Sequence, residues 1–461
     1  MIPHEMEAGD GVSRFHLCPA VPAATMLANM RSALARGLPE VTPCNAHGLT
    51  LSVAGGGPSL QDTYQDLDGF ICGVNGSLGF ILGKDIKPGA SYACGVMDAG
   101  AHIADQIVAD KSVRYYVASI CDPAVFDKLE GCDVRLWHVS PDSTEDPEGV
   151  RAILNEFYPQ GWLAIGGGCT MGLRWINLGY LLGFRKFNLH GLDSSFRKGS
   201  THAYPDRADT KDRIEFNGYE TRPNFLAQVY DFFGVLNRLS EPDHEATEVN
   251  LFGEGLLQTE WREWKERNVA KPIVCCVKVG DRYGDEYVRK LRDGVAKHLP
   301  ADHNFVCFTG RPVEGVRCYP PPADLPGWFA KIGLFKLGRP LIYFDLDVVI
   351  TGDLSPLLEQ KQFSIIKDWW LPGFNSSVMV LTGNERKVWS LFSPEMMANL
   401  PMGDQQWITA ALPDGQTFPP EWFPSYKANR CYAEAPKGAM AVIFHGTPKP
   451  HECGGWVGQT W

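Results

Sequence analysis

The chain has 461 residues, 44% of them hydrophobic and 21% charged, with 54 acidic against 43 basic residues and a formal charge of −11. That length implies roughly two or three domains with ample apolar material for cores. The acidic balance excludes a broad nucleic-acid-binding face. The 13 cysteines are scattered without a CxxC pair, so they are expected as reduced, buried thiols rather than a disulfide frame or a zinc site. The opening MIPHEMEAGDGVSRF has no basic region followed by an apolar stretch, and no run approaches ~18 apolar residues. The expectation is a cytoplasmic chain without a transmembrane segment.

Residues 1–45 form a weakly patterned extension, with one helix expected around 23–35. Strands are expected at 49–54, 69–74, 91–96, 114–120, 134–139, 162–165 and 186–190, with helical patterns between several of them, notably 171–182. Strands alternating with helices imply a largely parallel sheet covered on both faces. The first strand runs into Gly55-Gly56-Gly57-Pro58-Ser59, and a later one into Gly166-Gly167-Gly168-Cys169-Thr170. Glycines let a backbone approach a phosphate, and amides at the following helix start can bind it; a structural tight turn is the plainer reading. Asp193 closes the strand 186–190, and Asn75 follows the strand 69–74. A helix is expected at 222–238, then a polar, acidic hinge at 240–248, then a helical segment ending TEWREWKERN. The domain boundary is placed near Asn268, so that 46–268 is one domain and 269–461 the next.

The second half restarts with a strand at 273–279, a helix at 285–298, and strands at 304–309 and 341–344. A proline-rich stretch, 320–326, leads to a helix expected at 328–337 that carries Lys331. The strand 341–344 ends in Asp345-Leu346-Asp347. Alternate residues of an extended chain point the same way, so two carboxylates two apart can face one ion. Carboxylate oxygens suit Mn²⁺ or Mg²⁺, which in turn bridges a diphosphate. The same tripeptide at Asp66-Leu67-Asp68 sits in a turn-like context and is given no role. The end of the chain reads Val442-Ile443-Phe444-His445-Gly446-Thr447-Pro448-Lys449-Pro450, a strand into a tight turn bearing one imidazole and one ammonium. Between lie the polar loops Phe374-Asn375-Ser376-Ser377 and Gly403-Asp404-Gln405-Gln406.

These four segments, in this order, resemble GT-A glycosyltransferases of the glycogenin-like kind over about 190 residues. The resemblance implies a GT-A fold and transfer of a sugar from a nucleotide-sugar, a UDP-sugar first, to a glycan, lipid-linked or protein hydroxyl acceptor. A lipid-linked acceptor would be met peripherally. It implies Asp345, Asp347 and His445 as ligands of Mn²⁺ or Mg²⁺. Lys449, Asn375 and Gly446 would contact the donor, and Asp404, Gln405 and Lys331 would act at the reaction centre, with retention of anomeric configuration. Two departures bear on the donor: FNSS replaces FNAG, and His451 stands where the family has an aromatic residue. Plainer readings stay open: Lys331 as a helix-surface lysine, Asn375 as a turn cap, Asp404 as a helix N-cap.

The glycine turns and the segment Leu181 to Asp193 resemble the Rossmann-like domain of MptE-like proteins, which include hydroxymethylpterin diphosphokinases and flagellin-modification accessory proteins. Bacterial CMP-sialic-acid sialyltransferases share the layout. This implies a nucleotide site at Gly55, Gly57, Ser59, Asn75, Gly167, Thr170 and Asp193, with His202 where the sialyltransferases place a catalytic histidine. An exposed loop histidine is its plainer reading. The expected whole is two Rossmann-like α/β domains. The rivals are pyrophosphoryl transfer to a pterin by the first domain, and a non-catalytic scaffold that recruits an acceptor.

Overall fold

The computed structural model describes residues 4–8, 11–15, 21–84, 86, 90–204, 213–267 and 271–461. The boundary expected near Asn268 lies outside these residues, as do Asp85, Lys87 and Pro88 of the first half. The chain separates into two compact units, Met1–Leu239 with Thr247–Asn268, and Ser240–Ala246 with Val269–Trp461. Both are α/β, each built on a seven-stranded sheet.

In the first unit all seven strands are parallel, in the order Glu248–Phe252, Lys186–His190, Thr50–Ala54, Phe70–Val74, Ser91–Val96, Arg114–Ala118, Asp133–Trp137. The strands Phe70–Val74, Ser91–Val96 and Arg114–Ala118 have continuous apolar interiors, as a sheet covered on both faces requires. Helix starts are capped by side chains that accept backbone N–H groups: Asp122 before Pro123–Lys128, Asp146 before Pro147–Phe157, and Thr170 before Met171–Leu181. The first two carry proline in the first turn, where its missing N–H costs nothing. The strand expected at 162–165 does not form; only a single bridge, Val139 to Ile165, marks it. The edge strand Glu248–Phe252 was absent from the sequence reading. It alternates polar and apolar residues in a polar neighbourhood.

The second unit has a mixed sheet, ordered Arg317–Tyr319, Asn304–Thr309, Ile273–Lys278, Leu341–Phe344, Phe374–Leu381, Ser364–Lys367, Gln416–Thr417. The first four strands run parallel, and Phe374–Leu381 lies antiparallel to both its neighbours. Val348–Ile350 leaves this sheet and pairs antiparallel with Ala441–Ile443. The expected helix at 328–337 is instead a long 3₁₀ segment, Gly327–Leu337, with Ala330 through Phe335 all buried. Burial on nearly every side removes the apolar stripe that would mark a surface α-helix.

The expected hinge 240–248 is held in place. Arg317 and Tyr319 bond the Glu241 carboxylate, Arg386 bonds Glu245 at 2.6 Å, and Ala246 donates its N–H to Leu337 at 2.7 Å. All cysteines among the described residues are free, and most are buried. No helix among the described residues is long and apolar enough to cross a membrane.

Candidate functional site

In the second unit the strand Ile273–Lys278 has Asn304–Thr309 on one side and Leu341–Phe344 on the other. Chain connections diverge at that point, and the carboxyl ends of the strands open the crevice that α/β sheets use for ligands. Asp345 leaves the Leu341–Phe344 strand there. Its N–H bonds the Ser377 carbonyl at 2.8 Å, so the backbone is still paired when the carboxylate projects. Buried Leu346 anchors the turn, and Asp347 follows at 6% exposure. Pairing of Val348 with Ile443 then brings the chain's last strand, and the HGTPKP turn after it, to the same place.

Each aspartate meets a lysine. Lys331, 6% exposed, places its ammonium 2.8 Å from Asp345 Oδ1, 3.2 Å from Ser376 Oγ and 3.5 Å from Asp404 Oδ2. It is therefore no surface lysine. Tyr343 donates to Asp345 at 2.6 Å, and Ser376 donates to Asp404 at 2.5 Å. Asp347 accepts from Lys449 and, at 2.8 Å, from the Tyr283 hydroxyl. Asp404 does not cap its helix: Gly403 occupies the N-cap, and the buried carboxylate faces Lys331 and Ser376. Asn375 lies beside Gln405, amide to amide at 3.5 Å, and its Oδ1 accepts the Ser377 N–H at 3.1 Å.

The charges act on one another strongly in this buried setting. Burial disfavours the Lys331 ammonium, yet Asp345 and Asp404 outweigh it and raise its pKa. Burial likewise opposes the Asp345 carboxylate, and Lys331 reverses that and lowers its pKa. Asp347 goes the other way, raised by burial and then by the charge of Asp345. Burial also raises Asp404, against the pull of Lys331 and Ser376. Three carboxylates against two ammoniums leave one negative charge over. A further cation would relieve it.

Asp345 and Asp347 each commit one oxygen, Oδ1 and Oδ2 respectively, to these bonds. The pair thus fits a divalent cation that takes one or two carboxylates and fills its remaining positions with phosphate and water oxygens. The third ligand expected from the sequence does not join them. Among the described residues no three of His, Cys, Asp or Glu come together as a metal-holding group. His445 Nε2 bonds Ser425 Oγ at 2.7 Å, and its ring lies stacked on Trp369 and edge-on to Trp370. Burial, then the charge of Lys427, lowers its pKa to about 4, so the ring is neutral and keeps a lone pair. Gly446 takes a left-handed φ of +68°, and a Cβ there would come within 3.0 Å of the Lys427 ammonium.

Ser376 belongs to the FNSS segment quoted from the sequence, but Tyr283, Tyr343 and Ser425 do not stand out there. Tyr283 carried the one available signal, a polar loop residue just past the end of the strand Ile273–Lys278.

The first unit has its own divergence point, between Thr50–Ala54 and Lys186–His190. A cleft of about 130 Å³ opens there, lined by Gly55, Gly57, Thr170, Asp193 and His202 among others. Five of the eight expected residues thus share it. Ser59 lies beneath: its N–H donates to Asp193 Oδ2 at 2.7 Å, and its hydroxyl bonds Oδ1. Gln258 adds a third bond to Asp193 at 3.3 Å. Burial raises the Asp193 pKa to about 6 despite these donors. Gly55 and Gly57 allow close packing, since a Cβ at either would lie within 3.0 Å of Gly191 O. Asn75 and Gly167 do not line the cleft: Asn75, at φ +48°, turns the chain after its strand, and Gly167, at φ +77°, packs against Asn177. His202 rests directly on the glycine loop, where a Cβ on Gly56 would come 2.7 Å from its ring.

No protein-family model matches this chain, and no curated protein matches it. Solved structures do. The galactosyltransferase LgtC, bound to donor and acceptor sugar analogues, is similar at 14% identity over 39% of this chain and 88% of its own, with a TM-score of 0.29. The MAf glycosyltransferase from Magnetospirillum magneticum AMB-1 is similar at 13% identity over 60% of this chain and 47% of its own, with a TM-score of 0.35. Mouse xyloside xylosyltransferase 1 is similar at 13% identity over 39% of this chain and 98% of its own, with a TM-score of 0.28. At that similarity the assignment of chemistry falls to the residues themselves.

Proposed function

We propose that the second unit is a divalent-metal-dependent glycosyltransferase of the GT-A type, acting on a nucleotide-sugar. One observation carries the reading: two carboxylates at the divergence point of the sheet, each paired with a buried or half-buried lysine. Asp345 and Asp347 would hold Mn²⁺ or Mg²⁺ together with the donor's phosphates, and the ion would stabilise charge on the departing diphosphate. Lys449 sits at the edge of the cluster, where its ammonium can turn from Asp347 to a phosphate oxygen. Lys331 holds Asp345 and Asp404 in place. His445, whose ring is neutral, would be the third residue to hold the ion.

The transfer breaks the bond between the anomeric carbon and the diphosphate oxygen and forms a bond to the acceptor hydroxyl oxygen. In the retaining course the hydroxyl proton passes to the departing diphosphate. Gln405, half-buried beside Asn375, is the group for the anomeric face, since Asp404 is already engaged by Lys331 and Ser376. UDP is the first donor base to test. The cleft of the first unit, at the matching point of its sheet, is proposed as a second nucleotide-binding site.

A thermal-shift panel on the full chain tests both: UDP, GDP, CMP, ATP and their sugar conjugates, each with and without Mn²⁺. A ligand that binds only the native state raises the melting temperature. The expected result is a Mn²⁺-dependent shift with one nucleoside diphosphate, lost in Asp347→Ala. A shift that survives Asp347→Ala unchanged would remove the metal assignment.

A further inference from the structure

Beside the His445–Gly446 turn stands a third lysine, Lys427. Its segment runs alongside the chain's last strand. Ser425 bridges Ile443 in parallel, Tyr426 donates its N–H to Ile443 O at 3.0 Å, and Ile443 donates its own to Pro424 O at 3.0 Å. The Tyr426 ring stacks on Phe444, with centroids 4.4 Å apart. The turn that follows is closed from within. Asn429 Oδ1 accepts the Ser425 N–H at 2.8 Å, Ser425 Oγ accepts the Ala428 N–H at 3.0 Å, and Lys427 O accepts the Arg430 N–H at 3.2 Å. This register brings Ser425 to His445 and Lys427 to Gly446.

The Lys427 ammonium lies against the Gly446 backbone, where a Cβ would come within 3.0 Å of it. Only glycine leaves that room. The lysine is half-buried, and its charge and that of Lys449 both bear on the His445 ring. Lys331 and Lys449 each have a carboxylate partner, but among the described residues Lys427 has none. Two ammoniums facing one imidazole repel each other unless an anion comes between them.

We infer that Lys427 is a second phosphate contact of the proposed donor site, and that it makes the site select a nucleoside diphosphate over a nucleoside monophosphate. The inference rests on the transferase reading. Charge supports it. The three carboxylates, less the ammoniums of Lys331 and Lys449, leave one negative charge, and a divalent ion turns that into one positive. A diphosphate-linked sugar brings two negative charges, and Lys427 supplies the second positive one. When the bond from the anomeric carbon to the diphosphate oxygen breaks, its electron pair stays with that oxygen and the diphosphate gains a further negative charge. A fixed ammonium at hydrogen-bond range then acts more strongly than before.

Calorimetry on the full chain tests this, with inorganic pyrophosphate and orthophosphate in metal-free buffer and with UDP and UMP with and without Mn²⁺. Lys427→Gln is expected to weaken UDP and pyrophosphate about tenfold, and UMP and orthophosphate by less than about twofold, with the melting temperature unchanged. Lys427→Arg is expected to keep most of the wild-type affinity. Full UDP affinity in Lys427→Gln would overturn the inference and leave the transferase reading standing. An equal loss of UDP and UMP would overturn it too, because Lys427 would then add only general attraction. If the wild type binds pyrophosphate, loses it in Lys427→Gln and yet turns over no nucleotide-sugar, the phosphate contact stands and the transferase reading fails. If none of the four compounds binds the wild type, both fail.

Discussion

The cleft of the first unit and the cluster of the second arise at the same kind of place, the point where strand order diverges at the carboxyl edge of a sheet. Their contents differ. Asp193 in the first is satisfied by neutral donors, the Ser59 amide and hydroxyl and the Gln258 amide. Asp345, Asp347 and Asp404 in the second are met by ammoniums and still leave a negative charge uncompensated. Topology thus fixes where a ligand can enter, and side-chain charge decides what it can be. The first arrangement clamps a glycine loop to a strand end. The second, in the proposed reading, would take a cation and a polyanion.

The sharpest way to break that comparison is to remove charge from each region in turn. Lys331→Met should cost about 3–5 kcal/mol of stability, because it leaves Asp345 and Asp404 buried without their partner. Denaturant unfolding at pH 7 measures it, and the deficit should shrink toward acid pH as the stranded carboxylates take up protons. A loss under about 1 kcal/mol would mean that the pair exchanges freely with water. Asp347→Ala should leave the fold intact, since Lys449 lies at the cluster's edge and can regain water. Metal-dependent nucleotide-sugar turnover should nevertheless fall at least several hundredfold, roughly 3.5 kcal/mol. Unchanged turnover would make the Asp347 pair a structural contact only.

Asp193 supplies the matching experiment on the first unit. Its folded pKa is raised to about 6, so the native state keeps a proton that the unfolded chain releases near 3.9. The native state then binds more protons between those values, and stability contributed by this group falls as pH rises from about 4 to about 6 and is flat above. The span is on the order of 2–3 kcal/mol. The difference between wild type and Asp193→Asn, followed by urea unfolding from pH 4 to 7, isolates it. A difference that stays level across that range would mean that the Ser59 and Gln258 donors cancel the burial.

Six strands of the first sheet and three of the second were legible because their apolar runs end near glycine or aspartate, as at Ala54 and Phe344. By contrast Phe374–Ser377, expected as a polar loop, opens the buried strand Phe374–Leu381, and Arg317–Tyr319, Ser364–Lys367 and Gln416–Thr417 are too short or too polar to stand out. The carboxylate pair was legible for the same reason. What escaped the sequence was whatever tertiary packing decides. Glu248–Phe252 gains strand geometry only by pairing with Lys186–His190. The segment Gly327–Leu337 is buried too completely to show a helical stripe. Ser240–Ala246 looks like a free acidic hinge, yet Arg317 and Arg386 fasten it from far along the chain. Lys331 and Asp404 each had a bland surface role open to them, and only the fold shows them sharing one buried ion pair.

His445 is where the difference between the regions is smallest, and so where it is best refined. Both units hold a histidine at the site: His202 against a glycine loop, and His445 between two tryptophans. If His445 serves only as packing, His445→Ala should lower the melting temperature and leave the Mn²⁺ dependence of donor turnover untouched. If it is recruited as the third ligand, the same change should weaken Mn²⁺ about tenfold, roughly 1.4 kcal/mol, and lower stability by less than that. The neutral ring favours the second outcome, because a pKa near 4 leaves a lone pair available throughout the neutral range. The Ser425 bond to Nε2 opposes it, since one ring nitrogen is already engaged. Titrating Mn²⁺ against donor hydrolysis in His445→Ala and Ser425→Ala separates these. Ser425→Ala should leave metal affinity intact or tighten it if Nε2 is the ligating atom. A parallel loss in both variants would show that Ser425 orients the ring and that Nδ1 faces the ion.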